Sequence, residues 1–517
     1  AAARSPAARR RSAPARARSA RPPREMCEVT DAMMPHAAMQ YLLVRPSVPA
    51  PLDPNFCPMV LSKRHYLKKI ADCQVHGKVA NLDFSIARPG GCCGRDTLPV
   101  FAEDHEGFEA SVFLAGEVIR YMLWQRGGYK ITLCGPKKIC ECIKAAYSLG
   151  GKYEFEVKTM PKIYGEVWSV TTVDKLESLP ASKEEPIVCG KVASGCRIAF
   201  DLGKSDVKTV AVKDGEVLGS AETEWDVTNP DPKYHYDLIV KAMKDTAAKL
   251  PGPVEAIGGS ATGAVSANSE ATWCDCFPNV PPDVYKQQVV PIFNNIAKRE
   301  FGGVPIKVIN DGEVTALAAV QKIKHGNVMG ISMGSSEGAG YANKDGNLMG
   351  WISELCYCKL DLNPKAPTDP WSKGAHRGLS HLYLGQRGAT KLAAKGGVDV
   401  PENYKFPHKD MCTIKHENHA QCLKLIQKAM TDPEKEPKVR QIYETVGVYL
   451  GYALAQYCEF YPIDHVMILG RVSKGAGGDI VLDTAKKVLT EEFPEYSKIV
   501  FHTADDHFKA VGQCIAA

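Results

Sequence analysis

Acidic residues are nearly absent from the first 25 residues of this 517-residue chain. That segment contains eight arginines and one glutamate, so the remainder carries a net charge of −2, although the whole chain carries +5. A near-neutral body lacks the basic surface of a nucleic-acid-binding domain, and we expect no nucleic-acid partner. The Ala/Arg/Ser/Pro-rich segment cannot bury a core and should be disordered. It is either an organelle transit peptide or not native coding sequence, because Met26 is a candidate initiator.

Long apolar runs and secretory signals are also missing. No stretch of about 18 apolar residues is present, which argues against a transmembrane helix and a membrane partner. The 18 cysteines include Cys-x-Cys pairs but no Cys-x-x-Cys pair, and no His/Cys set has zinc-finger spacing. We therefore expect reduced thiols and a cytoplasmic protein, or a plastid or mitochondrial one if residues 1–25 are a transit peptide.

Composition divides the chain into three parts. Residues 1–60 form a disordered or transit-like segment, and residues 61–185 form a small α/β module of unknown role. The polar linker ESLPASKEEP precedes the third part, residues 190–517. In the module, YKITLCGPKKICECIKAAYSLG predicts a strand, a Gly-Pro turn and a helix. The loop RPGGCCGRD lacks the P-loop pattern, so a plain loop is favoured over an anion cradle.

The third part repeats itself at a fixed spacing. CRIAFDLGKSD and NVMGISMGSSEG are each an apolar strand that ends in a polar turn, at Gly203 and Gly334. A hairpin with Lys-Asp-Gly follows each, and both the turns and the hairpins lie 131 residues apart. Two matching spacings predict two copies of one three-stranded unit, each followed by helices and further strands. We expect two lobes, residues 190–325 and 326–517, with a cleft between them.

The two turns are suited to binding phosphate. Backbone N–H groups and small hydroxyls cradle phosphate oxygens, and glycine lets the backbone approach closely. The Asp201 carboxylate is expected to orient a Mg²⁺ ion through water, since that ion retains several waters. A late Gly-rich loop, VMILGRVSKGAGG, is expected to receive the nucleoside. The predicted ATP-binding residues are Asp201, Ser205 and Lys208 at the first turn, Gly334, Ser335 and Ser336 at the second, and Gly470, Gly475 and Gly477 in the late loop.

A carboxylate follows a buried strand in KVINDGEVTALAA, between the two turns. Ligands bind at the carboxyl ends of strands in α/β sheets, and phosphoryl transfer needs a base for the attacking hydroxyl. We therefore predict Asp311 as the general base and Asn310 as a ligand of a sugar hydroxyl. The alternative for Asn-Asp-Gly is a helix cap or a turn without catalytic function.

From Arg197 to the end, about 320 residues, the chain resembles the ROK sugar kinases of the actin/hexokinase/Hsp70 ATPase superfamily. The similar segments are FDLGKSDVKTVAV, GGSATGAVSANSEATWCDCFPNV, VPIKVINDGEVTALAAV, GISMGSSEGAGY, GNLMGWISELC and VMILGRVSKGAGG. The resemblance implies duplicated ribonuclease-H-like halves and ATP- and Mg²⁺-dependent phosphorylation of a sugar, with a homodimer as the usual assembly. It also implies Glu354 and Asn279 as substrate ligands, and Gly203 and Lys204 as parts of the first phosphate turn.

Two departures from the family pattern stand out. Many members carry a zinc site after the Gly-Glu element, but Glu354 is followed by Leu355 and Cys356, so no zinc site is predicted. Glu337 places a carboxylate in the second phosphate turn, where it would repel ATP unless it points away. These departures leave open a non-catalytic sugar or nucleotide sensor on the same fold. The cysteines leave open an activator-type ATPase with an iron–sulfur site shared between subunits.

Overall fold

The computed structural model describes residues 36–73, 76–188, 194–204, 206–402 and 416–503. These residues form three sheets of four or five strands, a two-stranded ribbon and the helices that connect them. The strands are β1 Val79–Ala87, β2 Cys93–Phe101, β3 Lys130–Cys134, β4 Ser169–Thr172, β5 Cys196–Leu202, β6 Asp206–Lys213, β7 Glu216–Glu224, β8 Ala256–Ala261, β9 Gly263–Ala264, β10 Trp273–Cys274, β11 Ile306–Asn310, β12 Val328–Met333, β13 Glu337–Ala342, β14 His465–Leu469 and β15 Val500–Thr503.

The helices include at least one between the two strands of each parallel pair, as an α/β fold requires. They are α1 His36–Leu42, α2 Met59–Ala71, α3 Phe108–Gln125, α4 Lys137–Ala146, α5 Glu154–Tyr164, α6 Pro232–Ala247, α7 Pro282–Val284, α8 Ile292–Glu300, α9 Asp311–Ile323, α10 Gln386–Leu392, α11 His416–Ala429, α12 Glu436–Cys458 and α13 Gly475–Glu492. In the described part, no helix is both long and apolar enough to cross a bilayer.

The N-terminal module is a four-stranded sheet in the order β2-β1-β3-β4. The predicted strand, turn and helix are present as β3 and α4, and the helix buries Ile139 and Ile143 against the sheet. The prediction that residues 1–60 are disordered is wrong for residues 36–60. There α1 and the following chain bury Leu42 and Phe56 completely or nearly so, and those apolar side chains supply the packing that orders the segment.

The first lobe contains a five-stranded sheet in the order β11-β8-β5-β6-β7. Strands β5, β8 and β11 are parallel, whereas β5, β6 and β7 form an antiparallel meander. Asp214 and Gly215 both have positive φ at the β6–β7 turn. That backbone is the tight hairpin turn that Asp-Gly predicts.

The second lobe repeats this arrangement in the order β13-β12-β14-β15. β12 and β13 are antiparallel as β5 and β6 are, and β14 and β15 run parallel to β12. The predicted third strand of the second copy is wrong, because Leu348 makes only isolated bridges to Ala342 and Ile187. Asn343 folds the chain differently here, since its side chain accepts the N–H groups of Asp345 and Asn347. The duplicated α/β fold is otherwise confirmed.

The buried side chains show how the parts pack together. The first lobe has its own core around Phe200, Ile257 and Phe293. The module and the second lobe share one continuous core, which runs from Phe84 through Trp124 to Tyr449. The module therefore packs against the second lobe, and the predicted cleft would lie between that combined body and the first lobe.

Candidate active site

Three neighbouring parallel strands bring the predicted chemistry to one edge of the first sheet. In the β5–β8–β11 register, Asp201 pairs with Ser260, and Asn310 pairs with Ala261. Because parallel strands end at the same edge, Asp201 and the Asn310-Asp311 pair lie close together. The Ser260 hydroxyl donates to Asp201 Oδ1, which fixes the orientation of that carboxylate.

The chain turns from β11 into α9 at Asn310, and the cap interpretation is confirmed for this residue. Asn310 Oδ1 accepts the Gly312 N–H at 2.7 Å, as an N-cap side chain does. Gly312 has a separate purpose, since a Cβ there would lie 2.1 Å from the Ala339 carbonyl oxygen. Glycine lets α9 begin against β13 of the second lobe. The same turn therefore caps a helix and brings Asp311 to the boundary between the lobes.

Asp311 lies between groups of both lobes. Its Oδ2 accepts the Thr262 hydroxyl at 3.2 Å, and Oδ1 accepts the Gly312 N–H at 2.9 Å. On the opposite side, a Cβ added at Gly338 of β13 would lie 3.9 Å from Oδ1. Burial, and secondly the charge of Asp201, raise the pKa of Asp311 to about 6. A carboxyl with this pKa is ionised at neutral pH and still accepts a proton readily.

Glu354 lies beside Asn310, so the structure brings two predicted sugar ligands together. Asn310 Nδ2 donates to Glu354 Oε1 at 3.4 Å and to the Gly263 carbonyl at 2.8 Å. Burial, and then the charges of Asp311 and Asp275, raise the pKa of Glu354 to about 8. At neutral pH the Glu354 carboxyl is therefore mostly protonated and offers a hydroxyl donor.

The first phosphate turn joins β5 to β6. Gly203 N donates to the Asp206 carbonyl at 2.9 Å, and Lys208 Nζ contacts Asp206 Oδ1 at 2.6 Å. Lys208 therefore supports the turn. Lys204 Nζ forms an ion pair with Asp275 Oδ2 at 2.9 Å. The predicted ligand Ser205 lies outside the described residues.

The second phosphate turn, Gly334 to Ser336, joins β12 to β13. Gly334 N donates to the Ser336 carbonyl at 3.1 Å. The Ser336 hydroxyl is buried and has no hydrogen-bond partner in the described structure. Such an orphaned polar group calls for a ligand atom, since leaving it unpaired is costly.

Glu337 does not point toward this turn. Its side chain is buried, and the hydroxyls of Ser380 and Tyr457 donate to its two carboxylate oxygens. Burial raises the pKa of Glu337 to about 7, so the carboxyl is partly neutral at physiological pH. Glu337 therefore points away from the turn, which is the second of the two possibilities that the sequence left open.

The late Gly-rich loop connects β14 to α13. Gly470 has φ +104°, and a Cβ there would lie 2.3 Å from the Met333 carbonyl oxygen, beside the second turn. Gly475 begins α13 with φ +62°, and no atom lies within 4 Å of the position of an added Cβ. Gly477 is required by packing instead, since its Cβ would lie 2.4 Å from the Tyr443 ring.

Asn279 makes no hydrogen bond to this cluster among the described residues, and sequence reasoning missed several members of the cluster. Asn279 is exposed, and its side chain donates to the Thr228 carbonyl at 2.8 Å. Thr262 follows strand β8 at the same sheet edge as Asp311, a position that the strand pattern could have identified. Asp275 lies between Cys274 and Cys276, a pair that the sequence interpretation considered only for its thiols.

The N-terminal module holds the segment that carries Glu354. Ser353 has φ +51°, an unfavourable conformation for a non-glycine residue, and its N–H donates to the Gln125 carbonyl of α3 at 3.0 Å. The Trp124 ring of α3 stacks on Tyr357 at 4.3 Å. The Trp351 indole donates to Glu184 Oε2 at 2.8 Å, and Glu184 also pairs with Arg88 of the RPGGCCGRD loop. That loop is thus a structural contact, and the module fixes both sides of Glu354.

The arrangement of the described His, Cys, Asp and Glu side chains determines which metal ions the protein could bind. Among the described residues, no group of three or more His, Cys, Asp or Glu side chains is arranged to hold a metal ion. The described cysteines, including Cys274, Cys276, Cys356 and Cys358, are free thiols. Asp201 is a single buried carboxylate beside a phosphate-type turn, which suits an ion held mainly by phosphate and water.

No protein-family model and no curated protein sequence matches the chain. Solved structures do match. A ROK family glucokinase from Streptomyces griseus, in complex with glucose and AMPPNP, is 18% identical, with 62% of this chain and 97% of that chain covered and a TM-score of 0.45. A ROK hexokinase from Thermus thermophilus is 17% identical, covers 62% and 98%, and has a TM-score of 0.46.

A third matching structure is a ROK family transcriptional regulator, a homologue of the Escherichia coli MLC protein. It is 18% identical, covers 62% of this chain and 76% of its own, and has a TM-score of 0.48. These structures include both enzymes and a regulator, so they do not by themselves assign an activity. ROK is also the family whose motifs the sequence resembles.

Proposed function

We propose that the protein is an ATP-dependent phosphotransferase that phosphorylates a hydroxyl of a sugar or sugar-like molecule. One observation carries the proposal: Asp311 lies at the carboxyl edge of the first sheet, against β13 of the second lobe, with its pKa raised to about 6. A base at this position can accept a proton from an acceptor hydroxyl in the cleft.

The acceptor side of the site consists of Asp311, Asn310 and Glu354. In the proposed reaction, Asp311 takes the proton of the attacking hydroxyl while that oxygen bonds to the terminal phosphorus of ATP and ADP leaves. Asn310 Nδ2 and the protonated Glu354 carboxyl are donors for other hydroxyls of the acceptor. Their hydrogen bonds would hold the reacting hydroxyl against Asp311, which lowers the barrier by orientation.

The nucleotide side consists of the two phosphate turns and the late Gly-rich loop. The unpaired Ser336 hydroxyl and the open surface at Gly475 fit a bound nucleotide. Asp201 would hold a Mg²⁺ ion through water, and that ion would neutralise charge on the phosphates. Lys204, paired with Asp275 at 2.9 Å, places a cation beside the first turn. Asp201 and Lys204 therefore bring opposite charges to the place where phosphates are expected.

A non-catalytic sensor on the same fold remains the alternative, but one reason for it is gone. The Glu337 carboxylate faces Ser380 and Tyr457 and not the phosphate turn. The experiment that separates the two functions is a coupled ADP-release assay over monosaccharides, amino sugars and polyols, with a no-acceptor control. Acceptor-dependent ADP release supports the kinase. Sugar binding by calorimetry without any acceptor-dependent release would instead identify a sensor.

A further inference from the structure

Arg387 lies in the cleft near both phosphate turns. It is the second residue of α10, and the N–H of its neighbour Gln386 donates to the Gly334 carbonyl at 2.8 Å. The Arg387 charge acts to lower the pKa of Lys204 at the first turn. The nearby Asp275 carboxylate acts to raise the pKa of Arg387. The guanidinium is therefore close to the place where donor and acceptor would meet.

The buried His381–Asp369 pair and the exposed Trp371 ring hold the guanidinium in one orientation. Arg387 Nη1 donates to His381 Nδ1 at 2.7 Å, which assigns the His381 proton to Nε2, and Nε2 donates to Asp369 Oδ1 at 3.0 Å. Burial lowers the pKa of His381 to about 4, so the imidazole is neutral. Arg387 also lies over the Trp371 ring, with Cζ 4.6 Å from its centroid. An arginine held this firmly is prepared to bind a ligand at low entropic cost.

The guanidinium has no ion-pair partner among the described residues. Arg120 provides the contrast, because its Nε lies 2.6 Å from Glu156 Oε1 and both side chains are buried. Burial acts to lower the pKa of Arg120, but Glu156 outweighs it and the pKa is raised. For Arg387 burial prevails and the pKa is lowered. Its Nε and Nη2 edge, free of described partners, is a fork suited to a carboxylate or phosphate.

The neighbours of Arg387 place it on the acceptor side. Cys356 and Tyr357 lie near the guanidinium, and the Cys356 thiol donates to Glu354 Oε2 at 3.4 Å. Tyr357 and Trp371, whose ring centroids are 5.5 Å apart, form an apolar wall beside the guanidinium. Such a wall next to a fixed charge suits a ring that carries an acidic substituent.

We propose that the acceptor bears an acidic group, a carboxylate or a phosphate, which the free edge of Arg387 binds while the reacting hydroxyl lies against Asp311. This inference rests on the proposed kinase function. It adds the substrate class: an anionic sugar, such as a sugar acid or a sugar phosphate, in place of a neutral one.

The test compares anionic sugars with their neutral parents. Glucose, glucitol, gluconate, glucuronate, glucose 1-phosphate and glucose 6-phosphate are assayed by ADP release with wild type, Arg387→Gln, Arg387→Lys and the control Arg440→Gln. Arg440 pairs with Glu436 at 2.7 Å on the surface of α12, so this control makes the same charge change away from the cleft. We expect an anionic sugar to be used at least about 10-fold better than its parent, since charge-assisted pairing is worth that much or more.

Arg387→Gln should reduce kcat/KM for the anionic sugar at least about 10-fold more than kcat/KM for its neutral parent. Arg387→Lys should cause a smaller difference between the two sugars. Arg440→Gln should leave the ratio of the two kcat/KM values unchanged. Equal losses on both sugars, or no anionic preference in wild type, would overturn the inference. Wild type decides the point even if Arg387→Gln fails to fold. If no sugar supports ADP release, the kinase proposal fails, and calorimetry on the ADP-loaded protein decides the inference. The inference is supported if wild type binds the anionic sugar more tightly than its neutral parent and Arg387→Gln loses this difference. It is refuted if wild type shows no such difference.

Discussion

At the scale of single residues, the ionisation of Asp311 sets the pH at which the proposed reaction runs. The base is active only when ionised, and burial together with Asp201 raises its pKa to about 6. We expect kcat/KM to rise with pH through about 6 and to fall again as the pH passes about 8, where Glu354 loses the proton that it donates. In Asp201→Asn the neighbouring charge is gone, so the pKa of Asp311 falls and the rise moves to lower pH. Profiles of the residual activity measure the shift, and an unchanged or upward-shifted rise would contradict it.

Ser336 and its neighbour Glu337 should respond differently to substitution. The Ser336 hydroxyl is buried and has no partner among the described residues, whereas the Glu337 side chain points into the core and accepts hydrogen bonds from Ser380 and Tyr457. Ser336→Ala should weaken ADP binding about 3- to 10-fold, the value of one neutral hydrogen bond. Glu337→Gln should change the ADP Kd less than about 2-fold, because the side chain does not reach the turn. Calorimetry measures both, and tighter binding by Glu337→Gln would show that its charge does repel the nucleotide.

At this scale the sequence predicts a site residue only where its position in the chain, such as the end of a strand, determines its position in the fold. Asp201, Asn310 and Asp311 were found because strand ends identify the edge of a sheet. The sequence could not predict that Gly477 packs on Tyr443 or that Asn279 donates to the Thr228 carbonyl. Each contact depends on the direction of a side chain in the folded protein. Arg387 depends on Asp369, His381 and Trp371, which no local pattern connects to it.

At the scale of elements, α3 positions the segment that carries Glu354. Trp124 of α3 stacks on Tyr357 at 4.3 Å, and the Gln125 carbonyl accepts the Ser353 N–H at 3.0 Å. Trp124→Leu should raise the KM for the acceptor several-fold, since the segment loses its support, and should leave the ADP Kd within about 2-fold.

Trp168→Ala is the matched control for Trp124→Leu. Trp168 belongs to the same module, where its indole donates to the Tyr147 carbonyl at 3.1 Å, away from the Glu354 segment. Thermal melts establish that both variants are folded before kinetics are compared. Equal changes in KM for the two variants would mean that the module acts only through general stability.

The duplication was the most predictable feature at this scale, because a strand and a turn repeat in register 131 residues apart. The failure of the third strand in the second copy shows the limit of that reasoning. Both hairpins contain Lys-Asp-Gly, yet only the first has two residues with positive φ, at Asp214 and Gly215. Asn343 accepts two backbone N–H groups in the second and ends the meander. Such side-chain competition is not visible in a spacing.

At the scale of the whole molecule, buried carboxyls make stability depend on pH. Burial raises the pKa of Glu313 and of Glu337 to about 7, and that of Glu354 to about 8. A carboxyl with a raised pKa contributes its stability fully below the unfolded-state pKa and loses it as the pH rises through the folded-state value. We therefore expect the free energy of unfolding to fall as the pH rises toward 8.

Urea unfolding of the nucleotide-free protein at a series of pH values measures this dependence. Glu337→Gln cannot ionise, so its free energy of unfolding should fall less steeply with pH than that of wild type. A variant with the wild-type slope would show that Glu337 does not titrate in the folded protein.

The association of the module with the second lobe was not predictable from the sequence. A linker of polar residues suggested a separate domain, but Glu184 within it pairs with Arg88 and Trp351, and the cores on both sides are continuous. Apolar faces identify what is buried but not the partner that buries it. The module therefore forms one body with the second lobe and is not an independent unit.

The most direct test of the account is the loss of the base. With an acceptor identified in the ADP-release assay, Asp311→Asn should lower kcat at least about 100-fold, as removal of a general base does, while the ADP Kd changes less than about 3-fold. The isosteric amide keeps the size of the side chain, and a melting temperature close to that of wild type confirms the fold. Acceptor phosphorylation by Asp311→Asn at the wild-type rate would contradict the assignment of Asp311 as the base.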